Sequence, residues 1–225
     1  MESRDFEVTT NGALSLSIRK EGDVPWWWYL DIQGRPLYEI GNNCGTCNAI
    51  FEKVGNANLP LTPQQLSEQL RIGFESLPQD VFDTVATLLP KGRYRVELLA
   101  ITPSLFTQEN HPSSISCEAD YFWISNLVEA RRGTDYDLIL PIVERSQLNT
   151  DRIAFYKREF ENGINPIALA FSMYDERVIR GEYYQNTFAH FLLDGHHKIM
   201  AASEMAVTVS MLSFTRLNTY AESRS

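Results

Sequence analysis

The chain reads as an α+β protein, and three observations predict it. Several segments alternate apolar and polar residues with period two, as half-buried strands do. Two segments open with helix-start signals and continue with helical spacing. A nearly continuous apolar run, Pro166-Ile167-Ala168-Leu169-Ala170-Phe171, has the composition of a strand buried on both faces.

The first part of the chain supplies strands, then helices, then a strand. Ala13-Leu14-Ser15-Leu16-Ser17-Ile18 alternates cleanly. Residues 25–32 form a second strand that ends at Gln33-Gly34-Arg35-Pro36, and residues 37–40 return as its partner. This strand carries Trp26-Trp27-Trp28, which cannot share a face because successive side chains alternate; core or subunit contact is their expected use, with stacking on a base or sugar as the other reading. Thr62-Pro63-Gln64-Gln65 opens a helix that runs to about residue 74: Thr62 caps, proline fits the first helical position, and Gln65 stands three residues after the cap. Residues 79–89 form a second helix, closed by Pro90-Lys91-Gly92. In residues 93–101, Tyr94, Val96, Leu98 and Ala100 alternate with Arg93, Arg95 and Glu97, the mark of an amphipathic strand. Residues 107–116, polar and containing Pro112, read as a surface loop. No Gly- or Ser-rich linker follows, so residues 1–133 and 134–225 are expected to pack together across a soft boundary near Gly133.

In the second part, residues 138–143 form a strand. Asn149 or Thr150 caps a helix whose inner face carries Ile153, Tyr156 and Phe160 and which Gly163 ends. After the buried run at 166–171, residues 175–187 are expected to leave the sheet as a polar excursion before Phe188 resumes it. A strand over 189–195, a helix to about Met205 and a strand over 207–214 complete the series.

The most informative stretch is Phe191-Leu192-Leu193-Asp194-Gly195-His196-His197-Lys198, where an apolar strand breaks at Asp-Gly into a helix. A helix N-terminus presents backbone N–H groups and the positive end of its dipole, which suits a phosphate or carboxylate. Gly195 lets backbone approach such a ligand. His196 and His197 can donate to phosphate oxygens, Lys198 adds charge, and Asp194 can hold magnesium or orient a histidine. The plainer reading has Asp194 capping the helix and a histidine satisfying a neighbouring carbonyl.

Asp194-Gly195-His196-His197-Lys198, with the element order and spacing over residues 138–214, resembles the ParB/sulfiredoxin superfamily. The resemblance implies a ParB/sulfiredoxin-like mixed-sheet core in residues 134–225, with an α+β region appended as residues 1–133. It places Gly195 and Lys198 on the Gly and Arg of the family's Gly-x-x-Arg, the part that holds nucleotide phosphate. Lysine keeps the charge but lacks the bidentate fork. The catalytic cysteine of sulfiredoxins falls on His196, which disfavours that chemistry. Similarity to the free-serine kinases of the superfamily points to Glu144 as general base; as a plain surface carboxylate it would pair with Arg145 or Arg152.

Gly41-Asn42-Asn43-Cys44-Gly45-Thr46-Cys47 is a second feature. Three readings stand for Cys44 and Cys47: a structural metal or local staple, with zinc completed by Cys117 and His111; a redox pair; and packed cysteines.

Composition narrows the function classes. At 225 residues, 44% hydrophobic and 12% aromatic, the chain can bury a sizeable core. Residues 136–225 carry 11 acids and 9 bases, so 7 of the 9 net negative charges lie in residues 1–135. The absence of a Lys/Arg-rich face argues against duplex DNA as partner. The N-terminal sequence lacks a secretion signal and no apolar run is long enough to span a membrane, so a cytoplasmic location is expected. The resulting expectation is a nucleotide- or phosphate-binding protein, as a phosphotransferase or nucleotide hydrolase using magnesium, with Lys198 and the helix N-terminus holding phosphate, Glu144 or a histidine (His196 or His197) moving the proton, and Asp194 beside them in the catalytic group. The alternative is a noncatalytic module in which the turn binds a nucleotide or protein partner and the acidic N-terminal part provides the interaction surface; a protein partner or a homo-oligomer is open in either case.

Overall fold

A computed structural model describes residues 3–18, 28–41, 50–55, 64–74, 76–106, 121–124, 129–130, 133–179 and 183–217. Trp26, Trp27, Cys44, Cys47, Thr62, Pro63, His111, Cys117 and the loop expected at 107–116 lie outside the described residues. The elements are β1 (Arg4–Val8), β2 (Leu14–Ile18), β3 (Trp28–Ile32), β4 (Arg35–Gly41), β5 (Ile50–Lys53), α1 (Gln64–Ile72), α2 (Gln79–Ala86), β6 (Gly92–Ile101), β7 (Pro103–Phe106), β8 (Tyr121–Ile124), β9 (Glu129–Ala130), β10 (Gly133–Pro141), α3 (Thr150–Glu161), β11 (Ile167–Ile179), β12 (Tyr183–Asp194), α4 (His196–Met205) and β13 (Val209–Arg216). The α+β class expected from the sequence is present, among the described residues, as a large mixed sheet, a smaller sheet and four α-helices.

The large sheet runs β1-β6-β13-β11-β12-β10-β8-β7, with β9 beside β10. Strands from the first part of the chain thus flank those of the second on both sides. At the centre, β10 pairs parallel with β12, β12 antiparallel with β11, and β11 parallel with β13. Each of α3 and α4 therefore joins a strand to one of opposite direction two places away. Because β10 and β12 are parallel neighbours, with Pro141 opposite Leu192, the segments leaving both strands emerge side by side at one end of the sheet.

Period-two alternation builds two cores on this sheet. Leu138, Leu140, Leu169, Phe171, Phe191, Leu193, Leu212 and Phe214 point to one face, where they meet Leu30, Ile40 and Phe51 of the smaller sheet and Val81, Phe82 and Val85 of α2. Ile139, Ala168, Ala170, Leu192, Val209 and Met211 point to the other and meet Ile199, Met200 and Ala202 of α4, with Ile153 and Phe160 of α3 packed alongside. Residues 167–171 are buried throughout, as a strand covered on both faces requires.

The smaller sheet is an antiparallel meander, β2-β3-β4-β5. Gln33 and Gly34 both take positive φ, the backbone of a two-residue hairpin turn. Asn149 caps α3 by accepting from the Asp151 and Arg152 amides, and Gly163, at φ 77°, lies just past its end.

Two expectations are corrected. Residues 175–179 and 183–187 do not leave the sheet: β11 continues to Ile179 and β12 starts at Tyr183, with Asp175 opposite Thr187 and Arg177 opposite Gln185. Ladder hydrogen bonds come from the backbone, so polar side chains extend the hairpin as well as apolar ones. The strand expected over 138–143 starts earlier and stops at Pro141, leaving Ile142 and Val143 in the following segment.

Beyond the reach of α4, the same sheet face turns polar. Ser213 Oγ donates to Ser172 Oγ at 2.8 Å, and Ser172 Oγ lies 2.6 Å from His190 Nδ1. His190 Nε2 stands 3.0 Å from Asp137 Oδ1, near enough for a charge contact but off the angle of a hydrogen bond. Asp137, His190, Ser172 and Ser213 thus form a row across four adjacent strands.

Candidate functional site

The site is built where β12 ends. Gly195 takes φ 94° and ψ 19°, a left-handed conformation that turns the chain from strand into α4. A Cβ there would stand 3.0 Å from both Cα and Cβ of Ala168 and 3.2 Å from Lys198 Cδ, so a side chain is disfavoured by crowding as well as by dihedral.

The four polar residues of the turn each tie it to a neighbour. Lys198 is buried, and its Nζ donates to Asp194 Oδ2 at 2.9 Å and to the Ile167 carbonyl at 2.8 Å, and lies over the Tyr156 ring, 5.9 Å from its centroid. Burial pulls its pKa below the ordinary lysine value while Asp194 works against that fall. Asp194 also accepts from Ser67 Oγ of α1 at 3.3 Å. The Val143 amide donates to His196 Nε2 at 3.3 Å, and the Asn149 amide donates to His197 Nε2 at 3.1 Å. Each ring then carries its hydrogen on Nδ1 and is neutral. Burial pushes His196 down to about 3 and lowers His197 as well. The two histidines therefore pin the segment between β10 and α3 against α4.

That segment and α4 enclose a cavity of about 410 Å³. Glu144, Arg145 and Ser146 line it from the segment, His196 from the first turn of α4, and Lys53 from β5 of the smaller sheet. Its apolar wall includes Met200, one turn beyond His196 on the same helix face, with Leu105 of β7 and its cross-strand partner Phe122 of β8. Burial draws the Lys53 ammonium below its ordinary range, and the charge of Glu144 opposes the change.

Comparison with known protein families, curated proteins and solved structures finds no match. The site is therefore read from its own chemistry.

Of the predicted residues, the structure brings Glu144 and His196 to the cavity and joins Asp194 to the buried Lys198 in an ion pair outside its lining. His197 faces Asn149 rather than the cavity lining. Among the described residues no group of three or more His, Cys, Asp or Glu is arranged to hold a metal ion, and no helix is long and apolar enough to cross a membrane. Sequence reasoning missed Lys53, Arg145 and Ser146. The signal for Lys53 was the alternation Phe51-Glu52-Lys53, which places it on the same strand face as a core phenylalanine.

Proposed function

We propose that the protein binds a phosphate-bearing small molecule of the nucleotide class in the cavity between residues 143–148, α4 and β5. One observation carries this reading. In a chain of net charge −9, the cavity sets Lys53 and Arg145 against the single carboxylate of Glu144, with His196 neutral, so its lining is locally positive. An anion is attracted there against the background of the chain's net negative charge. Leu105, Phe122 and Met200 add an apolar wall suited to a base, in a volume within the range of small-molecule sites. The order β10-α3-β11-β12-α4-β13 supports a ParB/sulfiredoxin-like reading of residues 134–225.

The geometry favours binding over turnover. Both Nε2 atoms of the histidine pair are engaged by backbone amides, and Lys198 is engaged by Asp194, so neither Nε2 takes a proton and Lys198 meets no phosphate without rearrangement. In a phosphotransferase or nucleotide hydrolase built on this site, Glu144 is the group placed to take the proton.

The test is a thermal-shift screen of nucleoside mono-, di- and triphosphates, with and without magnesium, on the parent protein and on Ser146→Trp, which fills the rim from an exposed position. A ligand at a hundred times its Kd adds about 2.7 kcal/mol of stability. A shift in the parent that disappears in the variant is the expected result. No shift with any nucleotide, or an undiminished shift in Ser146→Trp, overturns the reading.

A further inference from the structure

We propose that Lys53, contributed by the smaller sheet, selects the ligand's charge by holding its phosphate, so that the cavity discriminates a nucleotide from its nucleoside. The inference rests on the nucleotide reading of the cavity and assigns the residue that reads the phosphate.

Lys53 is placed for this by strand geometry. In the β4–β5 pair, Ile40 stands opposite Phe51 and Tyr38 opposite Lys53. Opposed residues share a face, and so do residues two apart on one strand. Ile40, Phe51 and Tyr38 are fully buried against the large sheet, so Lys53 ends a row of core-facing side chains and points with them. Its partner Tyr38 fixes the position: the hydroxyl donates to the Pro141 carbonyl at 2.7 Å, at the end of β10 where the cavity-lining segment begins. The smaller sheet is thus clamped at the point where Lys53 reaches the cavity.

The chemistry of the group fits the position. Lys53 is partly buried on a strand whose neighbours are core residues, and among the charged groups lining the cavity the one carboxylate, Glu144, lies at the exposed rim. A lysine removed from water in this way gains from a dianionic phosphate monoester what a neutral ribose hydroxyl cannot supply. Arg145 lines the same cavity from the exposed segment, where its charge is screened by solvent, so the inner cation is the one expected to set selectivity.

The experiment is isothermal titration calorimetry of the four ribonucleoside 5′-monophosphates and the four matching nucleosides against the parent, Lys53→Met and Lys53→Arg. The parent is expected to prefer a monophosphate to its nucleoside. Lys53→Met is expected to weaken monophosphate binding by about tenfold to a hundredfold while leaving nucleoside binding unchanged, the effect of losing one charge-assisted contact. Lys53→Arg is expected to restore most of the preference. If monophosphates bind and Lys53→Met keeps the parent's preference, or loses both ligands equally, the assignment of Lys53 falls while the nucleotide site stands. If the parent binds none of the eight and no di- or triphosphate, both fall.

Discussion

Lys198 Nζ and Asp194 Oδ2 stand 2.9 Å apart, four residues from each other in sequence, with the lysine 2% exposed. The pair spans the Gly195 turn and joins the last residue of β12 to the body of α4. Its lysine also holds the Ile167 carbonyl at the start of β11, and its aspartate the Ser67 hydroxyl of α1. A motif whose charge looked directed outward at a ligand is directed inward, at β11 and α1.

This arrangement makes the two partners unequal. Removing Asp194 leaves an ammonium buried with one carbonyl for company, and breaking a buried pair in this way costs about 3–5 kcal/mol. Removing the charge of Lys198 leaves a carboxylate with partial access to water and a hydroxyl partner. Asp194→Ala is therefore expected to destabilise the fold by several times more than Lys198→Met, whose side chain keeps the packing. Urea unfolding of the two variants checks this, and equal midpoints would show that the pair contributes through packing alone.

The neutral state of His196 gives the fold a pH dependence with a defined sign. Its pKa is about 3 in the folded protein, where burial dominates, against 6.5 for the free side chain. Between these values the unfolded chain binds a proton that the folded chain does not, so stability rises with pH across the window. The contribution is complete above 6.5 and is lost as pH falls toward 3, at about 1.4 kcal/mol for each unit of pH. The charged and titratable groups facing the ring are Asp194, His197, Lys53 and Lys198, of which only Asp194 opposes the shift. His196→Gln keeps an acceptor for the Val143 amide and cannot titrate. Unfolding midpoints measured from pH 4 to pH 7 should fall more steeply for the parent than for His196→Gln, and parallel curves would remove His196 as the cause.

The fold was legible where local chemistry decides. Gly163, Asn149 and the run at 166–171 announce a helix end, a helix cap and a buried strand, and each forms at or within a residue of its expected place. The strand–turn–helix at Asp194-Gly195-His196 was equally plain, because glycine suits that dihedral and that space best. The roles of the side chains were not legible, because they depend on partners far along the chain. Nothing near His196 in sequence says that the Val143 amide, 53 residues earlier, will occupy its Nε2. Lys53 was invisible for the same reason: alternation places it beside Phe51, but only the pairing of Tyr38 with Pro141 brings that face to the cavity. The pairing of residues 175–179 with 183–187 was hidden by polar side chains on a backbone that pairs regardless of them.

Gly195 separates dihedral strain from crowding by comparison with Gly163. Both have positive φ, 94° and 77°, but a Cβ at Gly163 meets nothing within 4 Å whereas one at Gly195 meets Ala168 at 3.0 Å. Gly163→Ala should therefore cost only the left-handed penalty, about 1–2 kcal/mol. Gly195→Ala carries that penalty and must also move β11 or displace Lys198 from Asp194, so its cost is expected to exceed that of Gly163→Ala by about 1–3 kcal/mol, the range for overpacking a dense core. Because the atoms met at Gly195 belong to Ala168 backbone and side chain, further truncation cannot relieve them except at Ala168 itself. Ala168→Gly in the Gly195→Ala background removes one of the three contacts and is expected to recover part of the loss, whereas the same change in the parent only destabilises. Chemical denaturation of the four proteins closes this double-mutant cycle, and a coupling energy of zero would mean that the turn yields to the new methyl group by moving as a unit.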